Sequence, residues 1–172
     1  MAFDLERSLA ILGQTPGTLQ HYLGGLPDDM LQTNEGADTW SPFDILGHLI
    51  HGEKTDWIPR TRIILYAEDK HFTPFDRFAQ EQESAGKSAV DLLNEFAALR
   101  AENLQQLRSF NLTPADLDRT GVHPEFGEVK LSWHLSTWTT HDLGHLYQIS
   151  RVLAKQLKQD VGPWVQYLKV LQ

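Results

Sequence analysis

Two histidines four residues apart, His141 and His145, are the residues whose type and spacing most directly suggest chemistry in this sequence. In an α-helix, side chains separated by four residues project from one face, one above the other. Two imidazoles placed in this way can bind a single tetrahedral or octahedral metal ion. The same spacing also occurs in half-exposed polar stripes, so the position of the pair on its helix decides between a metal site and a surface stripe.

The helical wheel places this pair beside the apolar stripe of its helix. At about 100° per residue, His145 lies about 40° from His141. Neutral imidazoles at the edge of a core need partners for their ring nitrogens, and a metal ion supplies one. His134, seven residues before His141, shares the stripe; it is either a fourth ligand or, as we prefer, a histidine at the mouth of the bundle. The apolar residues of the same arc are Leu131, Trp138, Ile149 and Val152.

A third candidate ligand comes from an earlier helical segment. His48 is flanked by Ile45 and Leu49, whereas His51 lies about 60° further from the apolar centre of that helix. We therefore expect His48 to face inward. Gly52, one turn further on, leaves the space beside His48 uncrowded, as a ligand cavity requires. Three other histidines are expected on the surface or in loops, the last of them close enough to reach the mouth of the site: His21, His71 and His123.

Acidic residues on otherwise apolar helix faces are the second chemical feature. Glu53 and Asp56 lie on the same broad face as Ile45 and Leu49, and Asp142 lies near the middle of the last apolar stripe. A buried carboxylate is costly unless it is paired, and Arg60, four residues after Asp56, is the nearest candidate partner. These acids either form a structural ion-pair network between helices, or orient a ligand imidazole by accepting a hydrogen bond from it. For the second role the candidates are Asp142, Glu53, Asp56 and His134.

Hydrophobic periodicity and capping signals predict four long helical segments. Their approximate bounds are 3–26, 42–67, 88–110 and 131–158. We expect an interruption of the first segment at Pro16, with Thr15 capping a fresh start. Ser41-Pro42 opens the second segment with the same cap-plus-proline signature, and Asp44 supports that cap.

Four such helices without a convincing strand pattern predict an all-α four-helix bundle. The length of 172 residues suits a single domain, residues 1–172, with a core of its own. The long connections, residues 68–86 between the second and third helices and 111–130 between the third and fourth, are the natural walls of a site. A short hairpin near Gly121 to Lys130 stays open as an alternative for part of the second connection.

Composition excludes several classes of function. The formal net charge is -8, with 15 Lys and Arg scattered along the chain, and nucleic-acid binding requires a clustered basic face. The chain contains no cysteine, which excludes disulfides, thiolate ligands and a cysteine nucleophile. No stretch approaches the roughly 18 consecutive apolar residues of a membrane span, and the first residues do not resemble a signal peptide. We therefore expect a cytoplasmic protein that binds neither membranes nor nucleic acid.

Two segments resemble the DinB-like superfamily of metal-binding bundles, which includes bacillithiol- and mycothiol-dependent transferases. They are WSPFDILGHL, residues 40–49, and THDLGHLYQI, residues 140–149. In that family one histidine comes from the second helix and an HxxxH pair from the last long helix. The resemblance implies that His48, His141 and His145 bind a divalent metal, zinc or nickel first among the candidates, with water completing the shell. It also implies a homodimer.

Three functional hypotheses follow for such a site. The first is an enzyme in which the metal activates a small thiol, or alternatively water, for attack on an electrophilic small molecule. Because the chain has no cysteine, a reacting thiol must be a separate low-molecular-weight cosubstrate. The second is a non-catalytic, metal-stabilised binding or stress-associated protein, in which the metal joins the second and fourth helices. The third is a plain bundle with hydrogen-bonded core histidines and no metal.

Overall fold

The structure, a computed structural model, describes residues 3–172. Two short 3₁₀ turns follow the last helix, at Gly162–Tyr167 and Lys169–Leu171. No helix within the described part combines the length and the apolar character needed to cross a membrane. In chain order the elements are α1 (Leu5–Leu23), α2 (Asp28–Gln32), α3 (Pro42–Thr55), α4 (Trp57–Tyr66), α5 (Ala79–Glu83), α6 (Ala89–Ser109), α7 (Pro114–Leu117), β1 (Thr120–His123), β2 (Gly127–Lys130) and α8 (Leu131–Gln156).

The long helices form the expected four-helix bundle. Helix α6 packs against α1 and α3, and α8 packs against α1, α3 and α4, so the four close into a ring in the order α1, α6, α3, α8. Their inward faces bury two apolar clusters along the bundle, one around Phe96 and Ile149 and the other around Leu12 and Trp138. The all-α prediction is confirmed, with a small two-stranded sheet as the addition.

The predicted interruption of the first helix is wrong, because α1 continues through Pro16. A proline within a helix has no N–H to donate to the carbonyl four residues earlier, here that of Leu12. Arg100 of α6 supplies the missing donor, since its Nη1 lies 3.0 Å from the Leu12 carbonyl oxygen. Thr15 does not cap a new helix; its hydroxyl donates to the Asp142 carboxylate at 2.6 Å. A tertiary contact thus compensates for the proline.

The predicted second helix is divided at Asp56 into α3 and α4. Pro59, the third residue of α4, has no N–H for the carbonyl of Thr55, which favours a break in the helix at this point. The expected start is confirmed: Ser41 and Asp44 form a capping box in which each side chain binds the other's backbone N–H. The break leaves Asp56 at the corner between the two helices.

The long connections contain structure of their own and are joined to each other. The first includes α5, and the second includes α7 and the hairpin of β1 and β2, in which Thr120 pairs with Lys130 and His123 with Gly127. Phe72 donates its backbone N–H to the Val122 carbonyl at 2.9 Å. This contact fixes residues 70–75 beside the hairpin, and together they cover one end of the bundle.

Replacing Gly121 by alanine is expected to destabilise the protein by about 1–3 kcal/mol, the usual cost of overpacking. A Cβ at this position would lie 2.5 Å from the Phe72 ring and 2.9 Å from Ile64 Cγ1, and both side chains are buried. Chemical denaturation measures the effect. Gly17→Ala in α1 is the matched control, because a Cβ there meets nothing within 4 Å and alanine favours the helix. A Gly121→Ala protein as stable as the control contradicts the prediction.

Candidate metal centre

Three of the predicted ligands meet between α3 and α8. The Nε2 atom of His141 lies 2.9 Å from Nε2 of His48 and 3.1 Å from Nε2 of His145. Three nitrogens bound to one ion at about 2.0–2.1 Å would be about 2.9–3.4 Å apart. The observed separations therefore fit a single metal ion held by three imidazoles. We call these three residues the histidine cluster.

Burial keeps the histidine cluster uncharged. Desolvation lowers the pKa of His48 to about 3 and that of His141 to about 2, and repulsion from the His145 imidazole adds to both shifts. Desolvation also lowers the pKa of His145, against the opposing effects of Gln148 and Asp142. Metal ligation requires neutral imidazoles, and all three rings are in that form at neutral pH.

A hydrogen bond from Gln148 orients one ring of the cluster. The Nδ1 atom of His145 lies 2.8 Å from Oε1 of Gln148, three residues further along α8. Because an amide oxygen only accepts, Nδ1 carries the proton and the Nε2 lone pair faces the other two rings. The Nδ1 atoms of His48 and His141 are buried without a hydrogen-bond partner among residues 3–172. Gln148 was not anticipated, although the i, i+3 spacing from His145 is visible in the sequence.

Aromatic side chains pack around the histidine cluster and restrict access to it. The ring of Trp40 lies 4.7 Å from that of His48 and 6.3 Å from that of His145, nearly parallel to the latter. Trp57 meets the His141 ring edge-on at 5.1 Å. These rings limit the orientations of the imidazoles and exclude water from their flanks.

The buried carboxylates Glu53 and Asp142 bind Arg100. Arg100 Nη2 lies 2.8 Å from Glu53 Oε1, and Arg100 Nη1 lies 2.6 Å from Asp142 Oδ2. All three side chains are at most 1% exposed. No hydrogen bond to an imidazole of the cluster is found for either carboxylate within the described part of the chain. The structure thus places both acids in an ion-pair network between helices, the first of the two alternatives.

Further polar groups complete this network. Glu53 also accepts from Asn103 Nδ2 at 2.9 Å and from Trp138 Nε1 at 3.1 Å. Burial raises the pKa of Glu53 although Arg100 opposes the shift. Two carboxylates thus share a single guanidinium, and the charge of Asp142 acts on His145.

Asp56 forms an ion pair with Arg60, the partner predicted from their four-residue spacing. Its Oδ1 lies 2.9 Å from Arg60 Nη1, and desolvation raises the pKa of Asp56 to about 6. The pair forms part of the wall of a cavity of about 280 Å³ that also exposes His48 and His141. Phe72 and Phe75 from the first long connection, and His123 and Phe126 from the second, line the same cavity. Both connections are therefore walls of the candidate site.

The other histidines lie outside the cluster. His134 is buried and donates from Nε2 to the Trp57 carbonyl at 3.0 Å. His51 is buried as well, with Nδ1 2.9 Å from Glu83 Oε1, so it faces the first connection and not the cluster. His21 and His71 are exposed, as expected.

His134 is expected to stay neutral down to about pH 4, because desolvation lowers its pKa to about 4. The unfolded chain binds a proton below about pH 6.5 and the folded chain does not. The His134 contribution to the free energy of unfolding is thus lost as pH falls from 6.5 to 4, by about 1.4 kcal/mol per pH unit. Urea unfolding of wild type and of His134→Gln, in the presence of a chelator at pH 7, 6 and 5, measures this loss of unfolding free energy. A difference between the two proteins that is independent of pH contradicts the prediction.

The protein is thus an all-α bundle in which α3 and α8 bring three neutral imidazoles together. It falls in the class of helical bundles with an internal candidate metal site. The chain belongs to the DinB superfamily, whose family model matches residues 11–149. That range includes the whole histidine cluster.

Two similar proteins extend the comparison. A protein of Oceanobacillus iheyensis, named as a candidate metal-dependent hydrolase, is 24% identical over 146 residues, which cover 82% of this chain and 81% of that protein. The solved structure of YfiT from Bacillus subtilis, described as a probable metal-dependent hydrolase with an unusual four-helix bundle topology, superimposes with a TM-score of 0.72 at 20% identity. The match covers 91% of this chain and 87% of that one. At this identity the likeness to YfiT shows the fold.

Proposed function

We propose that the Nε2 atoms of His48, His141 and His145 bind one divalent metal ion, with zinc and nickel as the first candidates. The convergence of three neutral imidazoles, one buried and two half-buried, with Nε2 separations of 2.9 and 3.1 Å, carries this proposal. A plain bundle with hydrogen-bonded core histidines is the poorer account, because His141 Nε2 carries either one proton or one lone pair and cannot make a full hydrogen bond to both of its imidazole neighbours. Imidazole tolerates several divalent metals, so the ligand set does not choose among them.

We propose further that the chain is a metal-dependent enzyme acting on an electrophilic small molecule. Three protein ligands leave a coordination position open, the arrangement of catalytic sites. A divalent ion bound there lowers the pKa of a coordinated water or thiol towards neutrality. Gln148 holds the His145 ring in place, and Trp40 and Trp57 shield the cluster. The names of the similar proteins support hydrolysis as the first reaction to assay.

A small thiol is the second nucleophile to consider. Without cysteine in the chain, the thiol must enter from outside. A second cavity, of about 640 Å³, is lined by Trp40 and Gln148, both of which contact the histidine cluster, and by the cationic side chains of Arg77 and Arg151. Four acidic residues line it as well, among them Glu35, which pairs with Arg151, and the cavity borders the cluster only through Trp40 and Gln148. We also propose that the protein forms a homodimer, as the resemblance to the family implies. Sedimentation velocity tests this oligomeric state.

Activity assays on tag-free protein loaded with zinc or nickel separate the hypotheses. Hydrolysis of p-nitrophenyl acetate, and conjugation of 1-chloro-2,4-dinitrobenzene with cysteine or glutathione, are expected to depend on the metal in at least one case. The metal-dependent rate should vanish in His48→Ala and persist in His21→Ala, which changes an exposed histidine. A metal that raises the melting temperature without turnover of any substrate would instead favour the non-catalytic, metal-stabilised protein.

A further inference from the structure

The 280 Å³ cavity beside the histidine cluster has walls of unusual composition. Five aromatic side chains besides histidine line it, together with Val129 and one ion pair. Two of these side chains stand at its opening, where Phe126 is 74% exposed and Trp133 57% exposed. The five are Trp57, Phe72, Phe75, Phe126 and Trp133. Flat apolar walls favour a planar ring, which can stack on them or meet them edge-on.

The size of the cavity suits one ring held between its walls. An apolar cavity of about 150 Å³ is enough for benzene, so 280 Å³ leaves room for a ring with a short substituent. Ligand pockets for larger, drug-sized molecules begin at about 300 Å³. The walls are also held in place: the ring of His123 stacks on Phe126 at 4.6 Å and meets Phe72 edge-on at 6.3 Å.

The charged groups in the wall cancel one another. Arg60 is occupied on three sides, by the Asp56 carboxylate at 2.9 Å, by the Thr73 carbonyl at 3.2 Å and by the face of the Phe72 ring at 5.1 Å. A guanidinium held in this way is a poor receptor for an anionic ligand. A cationic ligand would in turn meet the positive charge of Arg60. The walls therefore suit an uncharged molecule.

Asp56 retains free hydrogen-bond acceptor capacity. It occupies the N-cap position of α4, where aspartate ordinarily accepts from a backbone N–H, yet its side chain makes no such bond. Its Oδ1 is held by Arg60 Nη1 at 2.9 Å, whereas its Oδ2 accepts no hydrogen bond within residues 3–172, and the side chain is 12% exposed. A carboxylate offers about four acceptor positions. An acceptor kept free in an apolar wall selects for a ligand that donates a hydrogen bond.

We propose that this cavity binds an uncharged, single-ring aromatic molecule whose hydroxyl or N–H group donates to the Asp56 carboxylate. The same cavity exposes His48 and His141, so the bound molecule lies beside the candidate metal centre. Its role as the substrate, and not merely as a ligand, rests on the proposed function. The selectivity itself is a property of the walls and is independent of the metal.

Binding of three simple probes tests this inference. Phenol has the ring and the donor, toluene lacks the donor, and cyclohexanol lacks the ring. Titrations followed by tryptophan fluorescence and ligand-observed NMR use the protein as purified and again after chelation. We expect phenol to bind more tightly than either of the other two by about fivefold, the value of one hydrogen bond or one set of ring contacts. Cyclohexanol or toluene binding as tightly as phenol would overturn the proposal.

The variant Asp56→Ala isolates the acceptor. It is expected to lower phenol affinity about fivefold while leaving toluene affinity unchanged, and retained toluene binding shows that the cavity is intact. Asp160→Ala, at an exposed position, is the matched control and should change neither affinity. An equal loss for both probes would contradict the assigned role of Asp56; should the variant not fold, the ranking of probes on wild type decides. Probe selectivity without metal binding would refute the proposed function alone, and metal binding without selectivity would refute this inference alone.

Discussion

Replacing Arg100 by methionine is expected to lower the free energy of unfolding by about 3–5 kcal/mol, the cost of leaving buried charges without their partner. Arg100 is 1% exposed and holds both Glu53 and Asp142. Its Nη1 also binds the Leu12 carbonyl that Pro16 leaves without a donor, so the same change weakens α1. Urea denaturation at pH 7.5 measures the loss.

Arg62→Met is the control for this prediction. Arg62 is exposed and its Nη2 donates to Gln106 at 2.9 Å, a surface contact worth at most about 1 kcal/mol. Neutralising the stranded carboxylates, as in Arg100→Met combined with Glu53→Gln and Asp142→Asn, should recover part of the loss. If Arg100→Met costs no more than Arg62→Met, the network contributes no measurable stability and the account of it is wrong.

Replacing His141 by alanine is expected to lower the affinity for zinc by at least about 100-fold. His141 Nε2 lies 2.9 Å from Nε2 of His48 and 3.1 Å from Nε2 of His145, and its loss leaves only two ligands, one on each of two helices. Even residues that only support a metal ligand are worth about 10–100-fold in affinity. Competition with a chromophoric chelator gives the affinity directly.

His51→Ala is the matched control for the metal measurement. His51 is buried on the same helix as His48, but its Nδ1 binds Glu83. Its loss should leave the zinc affinity within about twofold of the wild-type value, the spread expected for a residue that touches no ligand. Equal losses in the two variants would show that the effect of His141→Ala is a general one on the fold.

Much of the candidate site could be predicted because helices convert spacing into direction. The position of His48 between Ile45 and Leu49, and the four-residue spacing of His141 and His145, were enough to predict the three rings that meet, although the burial of His51 was not predicted. Asp56 and Arg60 pair for the same reason. In each case the information is local, since it depends on residues within about one turn of a helix.

Contacts between segments that are far apart in the sequence could not be predicted in the same way. Arg100 lies midway between Leu93 and Leu107, seven residues from each, and therefore on the apolar stripe of α6; a charge at that position was the available signal. Its partners come from α3 and α8. The continuation of α1 through Pro16 depends on that same side chain. The long connections are least predictable, since their conformation follows from contacts such as that of Phe72 with Val122.

The coordination of the bound metal tests the central claim most directly. X-ray absorption at the zinc edge, on tag-free protein loaded with one equivalent of zinc, should show three imidazole nitrogens at about 2.0–2.1 Å and one further light ligand. The same measurement on His145→Ala should show two imidazoles. A wild-type spectrum with fewer than three imidazoles, or a His145→Ala spectrum unchanged from wild type, would contradict a metal site built from His48, His141 and His145.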